Sequence, residues 1–250
     1  MDLPIKHSLD EILSQLALTD LPALPRKVLF WGEGAGEMSS YVAGWMAGQA
    51  IDVIVLDGAN RFDPYMVSSF AKKVSLLPEH LLKRIRIARA FTCYQMATLV
   101  EEKLASLLQQ EGSIARPNKP WVILLGPIST FSDEDVPDRE VRPLFERSLK
   151  RIEAMAMEGV SFFLFQPWIF SDNPPTPPLV KRGKEGLMES RRAYLTRRVF
   201  QISDTVWKIC LDDQGPKMIL EKGLALNIIE NCKLQNEKCK FGRRGLTTYR

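Results

Sequence analysis

The stretch Val28-Leu29-Phe30-Trp31-Gly32-Glu33-Gly34-Ala35-Gly36-Glu37-Met38 carries the reading of the fold, because an apolar run ends abruptly in three alternating glycines and a helical pattern follows. Four apolar residues in a row suit a short buried strand, and glycines supply the backbone freedom for a sharp turn. The spacing predicts a helix over residues 37–49 that buries Tyr41, Val42, Trp45 and Met46. Strand, glycine turn and helix in this order open a βα unit.

The same alternation continues downstream. Ile51 to Leu56 is almost unbrokenly apolar and rich in β-branched residues, as strands covered on both faces are. Further strands are expected at Ile85 to Ala88, Trp121 to Leu125 and Val160 to Phe165, separated by helical patterns at 64–74, 94–110 and 138–158. Such alternation implies right-handed crossovers and an α/β fold with a mostly parallel open sheet carrying helices on both faces. Thr205 to Leu211 and Pro216 to Glu221 flank Asp212-Asp213-Gln214-Gly215 and read as a C-terminal β-hairpin.

Upstream, Ser8 and Glu11 mark the start of an amphipathic helix over residues 8–18, with Ile12, Leu13 and Leu16 on one face. Pro22 and Pro25 end that pattern. The expected organisation is a helical brace at 1–25, one core domain at 26–230 and a basic, partly disordered tail at 231–250. Pro174, Pro175, Pro177 and Pro178 interrupt the core with a loop through which no helix can pass.

Composition narrows the class. At 250 residues, 45% apolar and 26% charged, the chain suits one soluble domain with a tail. No apolar run approaches the roughly 20 residues of a membrane-spanning helix, and the Met-Asp-Leu-Pro start lacks a secretory pattern, so a cytoplasmic protein is expected. Cys93, Cys210, Cys232 and Cys239 have no metal-ligand spacing with His7 or His80, which argues for reduced thiols and against a zinc site. Residues 181–250 hold 16 Lys/Arg against 8 Asp/Glu, whereas residues 1–180 hold 18 against 22. A total of +4 therefore divides into −4 and +8, which points the C-terminal third at a polyanion.

Three segments in order resemble the RecA-type strand-exchange recombinases, especially their archaeal and eukaryotic branch. Gly32-Glu33-Gly34-Ala35-Gly36 falls where that family has its Walker A loop. Val55-Leu56-Asp57-Gly58-Ala59-Asn60-Arg61-Phe62-Asp63-Pro64 is similar to the second core strand and its turn. Ile85-Arg86-Ile87-Ala88-Arg89-Ala90-Phe91, followed by Gln95, is the most specific match. The likeness spans roughly residues 26–170 and implies a RecA-like core.

The departures from the family pattern bear on activity. A phosphate loop of the form Gly-x-x-x-x-Gly-Lys-Ser/Thr cradles phosphates with backbone amides, neutralises them with lysine and holds magnesium with the hydroxyl. Gly32 to Gly36 is one residue short of it, with Glu37 in the lysine position and Met38 in the hydroxyl position. A carboxylate about 4 Å from a triphosphate costs on the order of 1 to 4 kcal/mol. The resemblance also implies a water-activating glutamate two residues past Asp57, where this chain has Ala59, and a Walker B aspartate where Leu125 runs into Gly126-Pro127. No catalytic residue and no cofactor is therefore expected. Gly32, Glu33, Gly34, Gly36, Glu37 and Asp57 form at most a vestigial nucleotide or anion loop, and a tight strand-to-helix turn is the preferred reading of its glycines.

Two other clusters invite a functional reading. Asp133-Glu134-Asp135 could hold a metal, but a solvated loop with Asp138 capping the next helix accounts for it better, and no metal site is expected. Lys181, Arg182, Lys184, Arg191, Arg192, Arg197 and Arg198, interleaved with Tyr194 and Phe200, suit either a phosphate backbone or a solvated helix face. The resembled family contacts single-stranded DNA from a loop in this region. The expected function is a non-catalytic RecA-like protein serving as a DNA-binding or accessory subunit in recombination or repair, with DNA, a RecA-like protein or its own copies as partners. The alternatives are a structural subunit of an active RecA-like ATPase that makes no nucleic-acid contact, and an ATPase with a variant loop.

Overall fold

A computed structural model describes residues 27–112, 120–167, 184–212 and 215–223. The expected helix at 8–18, the proline loop at 174–178 and the tail at 231–250 lie outside the described residues. Seven strands form one sheet: β1 (Lys27–Gly32), β2 (Val53–Asp57), β3 (Ile85–Arg89), β4 (Trp121–Leu125), β5 (Phe162–Pro167), β6 (Thr205–Asp212) and β7 (Gly215–Lys222). Their order is β3-β2-β4-β5-β1-β6-β7, every pairing being parallel except the antiparallel β6 and β7. The α/β class and its mostly parallel sheet thus follow the expected alternation.

The helices are α1 (Ala35–Gly48), α2 (Pro64–Lys73), α3 (Pro78–Leu82), α4 (Cys93–Thr98), α5 (Leu104–Gly112), α6 (Asp138–Met157) and α7 (Lys184–Ile202). From β1 the chain steps to β2 and then β3 toward one edge, and from β3 it steps back through β4, β5 and β6. Right-handed crossovers put helices of opposite steps on opposite faces. The core is divided in that way. Val28, Phe30, Val55, Ile123 and Phe165 pack under α1 and α2, whereas Leu29, Leu56, Leu124 and Leu164 pack under α4 to α7. Successive strand residues point to opposite faces, so strands covered on both sides must be apolar throughout. Phe30 stacks on Phe165 at 4.9 Å and Trp121 on Phe163 at 4.9 Å, filling the first of these layers.

The helix expected over 94–110 is split. A π turn at Leu99–Lys103 separates α4 from α5, keeping Val100 and Leu104 buried while Glu101 reaches Arg147 and Ser148 of α6. Tyr41, expected inside, is half-buried, with its ring edge-on to Phe70 at 5.2 Å. The short α3 was not anticipated, and Pro78 opens its first turn.

Because β1 and β2 send their connections to one face while β4 and β5 send theirs to the other, crevices open at the carboxyl ends between β1 and β5 and between β2 and β4. Open α/β sheets bind ligands at such reversals.

Candidate functional site at the carboxyl edge of the sheet

Between the end of β1 and the start of α1 stand only Glu33 and Gly34. Gly32 has φ 121°, and a Cβ there would fall 2.3 Å from the carbonyl oxygen of Ile209 on β6. Its glycine is therefore required by the close approach of the neighbouring strand. Gly34 caps α1 in a left-handed conformation at φ 75°, and its carbonyl accepts from the Met38 amide at 2.9 Å. This is the tight strand-to-helix turn preferred from the sequence.

The first turn of α1 carries Glu37, whose carboxylate stands 3.7 Å from the Arg61 guanidinium. Both side chains are largely exposed, so screening keeps the pair weak, worth about 0–1 kcal/mol. Arg61 also lies against Gly36, its Cδ 3.0 Å from where a Cβ would be. Thus an acid and its intramolecular counter-ion occupy the mouth of the turn.

Asp57 ends β2 and is fully buried. Its Oδ1 accepts from the amides of Ala59 and Arg61, both at 3.2 Å, and its Oδ2 accepts from Phe62 at 3.0 Å. The Arg89 Nε sits 3.4 Å from the same Oδ2, and the Arg89 Nη2 donates to the Phe62 carbonyl. The role is to staple the β2–α2 connection to β3. Asp63 then caps α2, accepting from the Tyr65 amide, while its own amide donates to Ser40 of α1.

Across the second crevice Gly58 donates to the Leu125 carbonyl at 2.8 Å, and on its far side Gly126, just past β4, donates to the Phe165 carbonyl of β5 at 2.7 Å. Gly126 has φ 69°, and a Cβ on it would lie 2.7 Å from that of Ala59. Ala59 and Gly126, standing where the resemblance calls for glutamate and near where it calls for aspartate, are pressed together. Gln166 closes this edge by accepting from the Ile128 amide and donating to the Pro167 carbonyl. Thr130 packs its methyl beside Gly58, and its buried Oγ1 makes no hydrogen bond among the described residues.

The basic segment has a different geometry from the expected charged face. Lys181 and Arg182 lie outside the described residues, and only the backbone of Lys184, at the start of α7, is described. Arg191 is 3% exposed and donates to the Asp138 carboxylate and to the carbonyls of Asp133 and Val136. Arg198 forms a two-pronged pair with Glu146 at 2.7 and 2.8 Å, and Tyr194 donates to the same carboxylate at 2.6 Å. The Arg198 fork is the main cause that holds the Glu146 carboxyl at about 2, and Glu146 in turn raises the Arg198 pKa. Arg192 is partly buried, with no partner for its Nε among the described residues, whereas Arg197 is exposed. The sequence treated these arginines alike because the acids that claim two of them lie about fifty residues earlier in the chain.

The acidic loop closes on itself, Asp133 accepting from the Asp135 amide at 3.0 Å. Pro137, not Asp138, is the residue before the first turn of α6. Asp138 lies within that turn, where it pairs with Arg142 and Arg191. Among the described residues, no three His, Cys, Asp or Glu side chains come together as a metal would require.

The polar groups at this edge are thus engaged mainly with one another, and Arg197 is the one exposed cation among the four described arginines of α7. No protein-family model matches the chain, and no curated protein matches its sequence.

Proposed function

We propose that the chain is a non-hydrolysing RecA-like protein, its core closed by a β6–β7 hairpin, that acts by binding as a DNA-contacting or accessory subunit in recombination or repair. The observation that carries this reading is the engagement of the positions that would grip a triphosphate. Glu37 is paired to Arg61, Asp57 is spent on three amides and Arg89, and Ala59 packs on Gly126. Phosphoryl transfer needs charge aimed at the γ-phosphate, and these residues aim theirs elsewhere. A cytoplasmic setting fits the reading, and no helix among the described residues is long and apolar enough to cross a membrane.

Titration calorimetry with magnesium-ATP tests the first half: no micromolar binding is expected, and saturable heat would overturn it. The second half is tested by fluorescence anisotropy with single- and double-stranded DNA across a salt series. Affinity should fall steeply with salt, and joint replacement of Lys181, Arg182, Lys184 and Arg197 by Ala should weaken binding and flatten the slope by roughly one unit per lost phosphate contact. An unchanged slope rejects that surface. The internal commitment of Arg191 and Arg198 favours a second reading, a subunit of an active ATPase that makes no DNA contact. That reading stands if DNA affinity is absent even at low salt while a stoichiometric complex with a RecA-like ATPase forms.

A further inference from the structure

The connection from β4 to α6 contains a stretch, residues 133–137, that belongs to no strand or helix, so its carbonyls need donors from elsewhere. Two of them find a single one: the buried Arg191 guanidinium donates to the carbonyls of Asp133 and Val136, and its Nε meets the Asp138 carboxylate just beyond. Arg191 belongs to α7, the helix of the next crossover, from β5 to β6. Further along α7, the Glu146–Arg198 fork and the Tyr194 hydroxyl also hold it to α6. We infer that Arg191 is a clasp that makes the connection after β4 and the helix after β5 open and close as one unit.

The physics is that of a charge with no second environment. A guanidinium stays protonated at every accessible pH and offers several donors in a rigid fork. If α7 moves, two backbone carbonyls lose their donor together and the Asp138 carboxylate is left with Arg142 alone. If the 133–138 stretch moves, a buried cation is stranded. Neither element can therefore shift alone, and anything that displaces α7 is transmitted to the carboxyl edge beside Gly126. The coupling does not depend on the function proposed above.

Hydrogen–deuterium exchange on the full chain reads the coupling directly. Arg191→Ala should speed exchange of the amides at 132–141 at least tenfold while leaving those of β2 unchanged. Arg198→Ala, which loosens α7 at its other end, should also speed exchange at 132–141 in the wild-type background. It should add nothing in the Arg191→Ala background. Equal acceleration by Arg198→Ala in both backgrounds, or an unaltered loop in Arg191→Ala, overturns the clasp. Should Arg191→Ala not fold, Arg191→Lys keeps the charge but loses the fork. An intermediate rise at 132–141 then supports the clasp, and wild-type exchange there overturns it.

Discussion

Gly32 and Asp57 stand at the same sheet edge and are constrained for different reasons. At Gly32 the obstacle is another strand, since any Cβ would fall 2.3 Å from the Ile209 carbonyl at a φ of 121°. Gly32→Ala should therefore destabilise the fold by about 2 kcal/mol or more, since it adds a steric clash to backbone strain. Urea denaturation gives the measurement, and a change under about 0.5 kcal/mol would contradict the geometry. Asp57 is constrained by hydrogen bonds. Asp57→Asn turns one acceptor oxygen into a donor facing amides and leaves Arg89 only the Phe62 carbonyl, a loss of about 2–3 kcal/mol. Were Asp57 poised for a ligand, Asn would instead cost little stability, so the same denaturation experiment separates the two roles.

At the scale of elements, the seam between α6 and α7 is charged and ties stability to pH. The Glu146 carboxyl titrates at about 2 in the folded chain against 4.5 ordinarily, chiefly because Arg198 donates to it. A carboxyl depressed by folding contributes stability above its unfolded pKa, and that contribution is lost as pH falls from about 4.5 toward about 2. The seam is partly exposed, so screening reduces the effect to about 1 kcal/mol near neutrality. Glu146→Gln should therefore lower stability at pH 7, and the gap between variant and wild type should close as pH falls through that window. A gap that stays constant down to pH 2 would assign the loss to packing. This seam was illegible in the sequence, where Arg198 reads as one cation in a basic run and Glu146 as one acid in an amphipathic helix. The strands themselves were legible, because Trp121 to Leu125 or Val53 to Leu56 must be apolar at every position when both faces are covered. The π turn at 99–103 was not, since one inserted residue leaves the apolar spacing of Val100 and Leu104 nearly helical.

Across the whole molecule, the consequence lies in how sheet order and turn length act together at the carboxyl edge. Under the proposed reading the sequence marks positions 37, 38 and 59 as departures from a phosphate site, but it could not reveal that Gly32 is pressed beside β6 and that α1 begins as early as Ala35. A phosphate cradle needs several consecutive amides turned inward ahead of a helix. Here two residues fill that space, and Gly32 just before them lies against the Ile209 carbonyl of β6. Supplying phosphate-binding side chains alone should then fail. Glu37→Lys combined with Met38→Ser supplies the cation and hydroxyl that a phosphate loop uses and removes the carboxylate, yet magnesium-ATP should still show no micromolar binding in calorimetry. If the double variant does bind, repulsion by Glu37 rather than the shortness of the turn is what keeps triphosphate out.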